Sequence, residues 1–237
     1  MSDLVPAPHV PRLAVRGGGS FPVRRIYCVG RNYADHAREM GADAPASAET
    51  RGTPVFFMKP ADAVVTERGV PYPPGTADLH HEVELVAAIG ADAPDGVLAV
   101  ERAPALVFGY AVGLDLTRRD LQAEAKRKGL PWDTAKGFDH SAPMSRLVPA
   151  SEIGELAGRT LTLEVNGDVR QRATLDMMIW SVPEILHELS KLYALRAGDL
   201  VFMGTPAGVA SLQPGDRCRA SLDDAIVLDC EITAPRA

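Results

Sequence analysis

Apolar residues along this chain come in short runs separated by glycine, proline and charged clusters, which is the spacing of strands rather than of long helices. Ile26-Tyr27-Cys28-Val29-Gly30 reads as a buried strand closed by a glycine turn, and Val55 to Lys59 as a strand bounded by Pro54 and Pro60. A strand carrying two glutamates starts near Leu79, and Val107 to Leu116 supplies another apolar one. Leu161 to Val165 and Val169 to Gln171 flank Asn166-Gly167, a dipeptide suited to a type I′ turn, and so predict a hairpin. Leu200 to Met203, Arg217 to Leu222 and Ile226 to Ile232 complete the set.

Helix signals are fewer. Asp35 can cap a short helix from Ala34 to Met40 that stops at Gly41, and the unpatterned segment from Gly41 to Thr53 predicts a mobile loop. Thr117, followed by Asp120, predicts a capped helix running to about Lys128 and ending at Gly129-Leu130-Pro131. Ser181, with Pro183 in the first turn, predicts a second one, whose apolar stripe is Val182, Ile185, Leu186, Leu189 and Leu192. Many strands with few short helices and no regular β–α alternation imply an α+β fold of twisted, mostly antiparallel sheets. Residues 1–20, rich in proline and carrying Gly17-Gly18-Gly19, predict a flexible arm, and 21–237 a single catalytic domain.

Composition narrows the function. At 237 residues, 46% hydrophobic and 24% charged, the chain describes a soluble globular protein. A net charge of -6 argues against nucleic acid or an anionic membrane as partner. Cys28, Cys218 and Cys230 are widely spaced without a C-x-x-C, so neither a disulfide framework nor a zinc cluster is indicated; reduced thiols in the cytoplasm are the economical reading. The most apolar stretch, near Ala105 to Leu116, is too short to span a bilayer.

The chemistry centres on Leu79-His80-His81-Glu82-Val83-Glu84. In an extended strand His80, Glu82 and Glu84 share a face, and a hard divalent cation would relieve the repulsion of the two carboxylates. Taken alone, an E-x-E pair reads more readily as a solvent-facing strand edge with two ordinary acids. Asp115, at the end of an apolar run, supplies a third carboxylate, or else caps a turn. His36 and Glu39 stand at i and i+3 on the first helix, so that the carboxylate can orient the imidazole as a general base; a charged surface pair is the other reading. Arg31, Arg119, Gln122 and Lys136 are possible anchors for a carboxylate or oxyanion, while Arg118, Lys126, Arg127 and Lys128 read as a solvated helix face. Gly204-Thr205-Pro206 is a tight turn able to bind a carboxylate, and His81 and His140 read as structural.

Gly30-Arg31-Asn32-Tyr33-Ala34-Asp35-His36, Phe57-Met58-Lys59-Pro60, His80-His81-Glu82-Val83-Glu84, Gly113-Leu114-Asp115-Leu116-Thr117-Arg118-Arg119-Asp120-Leu121-Gln122, Gly129-Leu130-Pro131-Trp132 with Lys136, and Gly204-Thr205-Pro206 appear in that order. In these motifs the chain resembles the fumarylacetoacetate hydrolase family from about Phe21 onward. Within it, Arg25-Ile26-Tyr27-Cys28-Val29-Gly30 and Trp180-Ser181-Val182-Pro183-Glu184 are most similar to bacterial fumarylpyruvate hydrolases of the gentisate pathway. The resemblance implies that family's fold, a roll or sandwich of twisted sheets, and a homodimer. It implies Mg2+ or Mn2+ held by Glu82, Glu84 and Asp115, a water-activating dyad of His36 and Glu39, and a catalytic Lys136. Arg31, Tyr33, Arg119, Gln122 and Thr205 would bind substrate. The implied activity is hydrolysis of a C–C bond in a 3-acylpyruvate, most of all 3-fumarylpyruvate. Acetylpyruvate hydrolysis, oxaloacetate decarboxylation, isomerisation or hydration of 2-oxo-alkenoic acids, and metal binding without catalysis are the alternatives.

Overall fold

Val83–Ile89 and Val107–Leu114 carry apolar side chains on both faces because they sit in the middle of a sheet covered on both sides. The strand order of this six-stranded sheet is Val148–Pro149, Val107–Leu114, Val83–Ile89, Asp199–Phe202, Arg25–Gly30 and Val55–Lys59. All its pairings are antiparallel except that of Asp199–Phe202 with Arg25–Gly30. The computed structural model describes residues 4–7, 9–41, 43 and 50–235. Most of the loop expected between Gly41 and Thr53 therefore lies outside the described residues.

A second sheet of five strands, in the order Asp168–Thr174, Thr160–Val165, Arg217–Leu222, Ile226–Thr233 and Gly69–Pro71, covers one face of the first. Its strands alternate buried and exposed positions, as expected for a sheet with one wet face. Leu161, Leu163, Ala220, Leu222, Leu228 and Ile232 join Val83, Leu85, Ala87 and Ile89 in one core cluster. Helix Val182–Ser190 packs Val182, Ile185, Leu186 and Leu189 into the same cluster. The opposite face of the six-stranded sheet, with Ile26, Cys28, Val86 and Ala88, forms a smaller cluster. The fold is α+β, with mixed but mainly antiparallel sheets and few helices.

Several local expectations hold, and several are corrected. Asn166 and Gly167 take the positive φ values of 56° and 89° that a type I′ turn needs. The capping box of Ser181 and Glu184 is present, and Pro183 sits in the first turn. Leu192, beyond the helix end, is exposed rather than part of the stripe. The supposed arm folds in its second half: Arg12–Ala14 and Ser20–Pro22 pair as a hairpin whose Leu13 and Phe21 enter the smaller core cluster. Burying each is worth about 1.5–3 kcal/mol, which holds the hairpin down. Thr117 is not a helix cap. It lies in a two-residue strand, Thr117–Arg118, and the helix Arg119–Lys128 follows without a side-chain cap. Asp120 instead accepts hydrogen bonds from Thr76 Oγ1 and the Ala77 N–H. Asp35 likewise stands in the first turn of helix Ala34–Glu39 rather than capping it.

Candidate active site

The two glutamates do not lie on one continuous strand. Leu79–His80 pairs with Thr117–Arg118 and Ser211–Leu212 in a small separate sheet, and the long strand begins only at Val83. Glu82 therefore occupies the step between sheets, and His80 turns toward Asp78 and Arg119. Val83 faces Leu114 across the ladder, and the Asp115 N–H donates to the Glu82 carbonyl at 2.8 Å. This crossing brings the carboxylates of Glu82, Glu84 and Asp115 together, with ligand atoms all within 4.8 Å of one another and all three residues buried.

Three buried like charges need compensation. Lys136 Nζ donates to Glu82 Oε2 and to Asp115 Oδ2, both at 2.7 Å, and Arg119 donates to Glu82 Oε1. Lys59, fully buried, brings Nζ to 2.8 Å from Asp115 Oδ1, but off the line of a hydrogen bond, so that oxygen is buried without a donor among the described residues. Glu84 has no cation paired with it among the described residues; the Gly204 N–H donates to its Oε2 at 2.6 Å. The result is asymmetric. Burial opposes the charge of Glu82, yet Lys136 and Arg119 outweigh it and hold its carboxyl well below the usual range. Burial, then Asp115 and Glu82, push Glu84 well above it. Burial works against the Lys136 ammonium, but Asp115 and Glu82 more than restore it, so it stays charged. A set of close, buried oxygen donors with one acid short of positive charge and one oxygen short of a donor fits a hard divalent cation.

The second group stands across the same pocket. His36, buried on helix Ala34–Glu39, has Nδ1 3.2 Å from Glu39 Oε2. The Glu39 carboxylate also accepts from the Gly208 N–H at 3.1 and 3.3 Å. A carboxylate at Nδ1 fixes the proton there and leaves Nε2 as the basic nitrogen. Burial lowers the pKa of His36, with Glu82 and Glu39 pulling it back upward, so the ring stays neutral to below its ordinary titration range.

Two amides lock this arrangement. Asn32 Nδ2 donates to the carbonyls of Trp180 and Met203, and its Oδ1 accepts from the Trp180 N–H. Its Cβ would lie 2.6 Å from a Cβ built at Gly204, whose φ is 91°, so the turn before Thr205 requires glycine. Gln171, from the hairpin, accepts from His81 Nδ1 and the Val83 N–H and donates to Thr205 Oγ1 and the Pro206 carbonyl. It thus joins the step holding Glu82 to the Gly204-Thr205-Pro206 turn.

His36, Glu82, Glu84, Asp115, Arg31, Arg119, Gln122, Lys136 and Thr205 all line one pocket, together with Lys126, Met40, Phe57 and Trp132. Glu39 meets it through His36. Tyr33 is outside the lining; its hydroxyl is buried without a partner among the described residues, and burial, then Glu84, push its pKa up. Arg119 and Gln122 are bonded to each other at 2.5 Å through the Gln122 Oε1, and Arg119 also holds Glu82, so Arg119 is committed to protein partners while the Nε2 amide of Gln122 is not used in that pair. Lys126, expected on a solvated face, is half-buried and lines the pocket wall. No pattern in the sequence assigns a role to Lys59, Asn32 or Gln171. The only signal for Lys59 is its place inside the Phe57-Met58-Lys59-Pro60 motif, a lysine flanked by apolar strand residues.

A sequence profile of the family described as Fumarylacetoacetate (FAA) hydrolase C-terminal matches residues 25–233. An oxaloacetate tautomerase of Escherichia coli is 41% identical over 205 residues, covering 86% of this chain and 90% of the relative. An oxaloacetate decarboxylase of Dictyostelium discoideum is 38% identical over 194 residues, covering 81% and 85%. Among solved structures, a fumarylpyruvate hydrolase from Pseudomonas aeruginosa in complex with Mn2+ and pyruvate superposes with a TM-score of 0.91 at 44% identity, over 98% of this chain and all of the other.

Proposed function

The chain belongs to the fumarylacetoacetate hydrolase family, and on that premise we propose that it is a metal-dependent hydrolase of 3-acylpyruvates that splits 3-fumarylpyruvate into fumarate and pyruvate. One observation carries the reading: a buried carboxylate cluster and a His–Glu dyad face each other across one pocket. The similarity to the Pseudomonas aeruginosa enzyme supports the choice of substrate.

Glu82, Glu84 and Asp115 would hold Mg2+ or Mn2+. When bound, that cation stabilises negative charge developing on the 2-oxo oxygen of the substrate. His36 Nε2, its ring held by Glu39, takes a proton from water, whose oxygen adds to the distal acyl carbonyl. Lys136 uses two of its three N–H donors on Glu82 and Asp115, which leaves one for the oxyanion that forms. The bond between the acyl carbon and C3 then breaks, its electron pair passes into the pyruvate enolate, and the proton on His36 returns to C3. Water is consumed and no other reactant is needed. Charge supports a diacid: Lys59, Lys136 and Arg119 already match the three carboxylates, so a divalent cation leaves two positive charges for a dianion to neutralise. Arg31 and Thr205 are the side chains best placed to receive carboxylates, and Gln122, held by Arg119, shapes the wall beside them. The reading carries a homodimer with it, from the family resemblance, and a reducing compartment such as the cytoplasm, supported by three free, buried cysteines.

A second reading has its own support. Tautomerisation or decarboxylation of oxaloacetate uses the same enolate without an attacking water. The Escherichia coli and Dictyostelium discoideum relatives favour it, and His36 could move a proton at C3. Product analysis by mass spectrometry decides between them. Mn2+-loaded protein is incubated separately with fumarylpyruvate, acetylpyruvate and oxaloacetate. Fumarate plus pyruvate formed faster than any product of the other two supports the hydrolase. Rapid loss of CO2 or keto–enol exchange of oxaloacetate, with acylpyruvates intact, overturns it.

A further inference from the structure

Helix Arg119–Lys128 places Arg119, Gln122 and Lys126 on one face, at i, i+3 and i+7, and all three line the pocket. Their situations differ. Arg119 is held by Glu82, Gln122 and His80 at the inner end. Lys126, two turns outward, has no carboxylate within ion-pair reach among the described residues and rests its ammonium 5.5 Å from the centre of the Trp132 ring. The neighbouring Arg127 and Lys128 are both paired with Glu124. Arg31, which also lines the pocket, has no acidic partner among the described residues either; its backbone is left-handed, with φ 60°. A left-handed arginine is uncommon, and here it turns the chain sharply between the strand Arg25–Gly30 and the helix carrying His36. Two like charges thus share one pocket wall with no acid paired to either among the described residues, and burial, Arg119 and Arg31 lower the pKa of Lys126 while Glu82 pulls it back upward.

We propose that Lys126, together with Arg31, is an outer carboxylate subsite that receives the far carboxylate of a long dicarboxylic 2-oxo acid and so sets chain-length and charge specificity. The proposal rests on the reading of the inner pocket as the binding place of the 2-oxo acid end. Seven residues of helix advance about 10 Å, and helical side chains lean back toward the N-terminus, so Lys126 overhangs the same pocket farther out than Arg119, on the side toward which a longer diacid would extend. The far carboxylate of a four-carbon diacid falls short of it. A substrate ending in a methyl group offers it nothing. The aromatic face of Trp132 holds the unliganded ammonium in place at little cost.

The test is the ratio of kcat/KM for fumarylpyruvate to that for acetylpyruvate, measured with Mn2+ on the wild-type protein and on Lys126→Met and Lys126→Arg. Loss of one charge-assisted contact lowers the ratio at least about tenfold in Lys126→Met, chiefly through KM, and Lys126→Arg restores most of it. Equal losses on both substrates, or an unchanged ratio, overturn the proposal. Should the wild-type protein cleave neither acylpyruvate, the hydrolase reading fails by itself. Isothermal titration of the Mn2+-loaded proteins with the same two compounds then gives the preference as a ratio of Kd values. A preference for fumarylpyruvate that is lost in Lys126→Met and regained in Lys126→Arg supports the subsite, and a preference that Lys126→Met leaves unchanged overturns it.

Discussion

At the inner end of the pocket Lys136 stands 2.7 Å from both Glu82 and Asp115, Arg119 holds Glu82, and Lys59 closes on Asp115. At the outer end Arg31 and Lys126 line the wall with no acid beside them among the described residues. The inner end is an ionic network assembled during folding, in which each positive charge already has its acidic partner. The outer end keeps its charge for something that arrives. The contrast separates two kinds of positive residue in one site. Those of the inner end hold the machinery, so replacing them costs stability. Those of the outer end cost little to replace in the free protein and act only when a ligand is bound.

Removing the inner acid with no cation of its own has the largest expected effect. Glu84→Ala lowers Mn2+-dependent turnover by about 10³-fold or more, read by steady-state kinetics, and weakens Mn2+ binding in isothermal titration. Next, Lys136→Met leaves Glu82 without one cation and Asp115 without its hydrogen-bonded one in a buried place. A loss of about 3–5 kcal/mol is expected, a fall in Tm on the order of 10 °C by calorimetry, with added Mn2+ recovering part of it.

The dyad comes third. Glu39→Gln lowers kcat/KM by about 10–100-fold, the usual scale for a group that orients another. Its pH profile carries a sign. Neutral His36 is the active form, and burial already lowers its pKa, so activity persists as pH falls below the ordinary histidine range and is lost only beneath that. The Glu39 charge pulls the pKa of His36 upward, so Glu39→Gln moves the acidic limb to still lower pH. A limb that moves upward would break the assignment. The smallest effect lies outside the pocket. Ser181→Ala removes one half of the capping box and costs about 1 kcal/mol of stability, with kcat/KM unaltered.

What the amino-acid sequence makes legible here is mostly what local rules decide. Asn166-Gly167 dictates its own turn, and Ser181, Pro183 and Glu184 open their own helix, because each needs only residues three or four apart. Grouping Glu82, Glu84 and Asp115 needed one further idea, that like charges brought together demand a cation, and their carboxylates do converge. Competition between distant segments was not legible. His80 leaves the glutamate strand because Leu79–His80 pairs with Thr117–Arg118 and Ser211–Leu212, and the same pairing takes Thr117 out of its helix. Arg119 looked like a free anchor because its partner, Glu82, lies 37 residues away. Lys59 and Lys126 are not legible from residue type. An ammonium is ordinarily solvated, and only the packed structure shows one fully buried against Asp115 and the other half-buried over Trp132.

The proposed hydrolysis depends on water, activated at His36, adding to the acyl carbonyl of a substrate held at the inner acids. The most direct measurement is mass spectrometry of products formed from fumarylpyruvate by Mn2+-loaded protein in 18O-enriched water. Hydrolysis by this route yields fumarate carrying 18O in its newly formed carboxylate, together with one pyruvate per fumarate, and near-complete loss of both products in His36→Ala. Recovery of fumarylpyruvate with its carbon skeleton intact and only its C3 hydrogens exchanged with solvent would contradict it, and would make proton transfer without bond cleavage the reaction of this site.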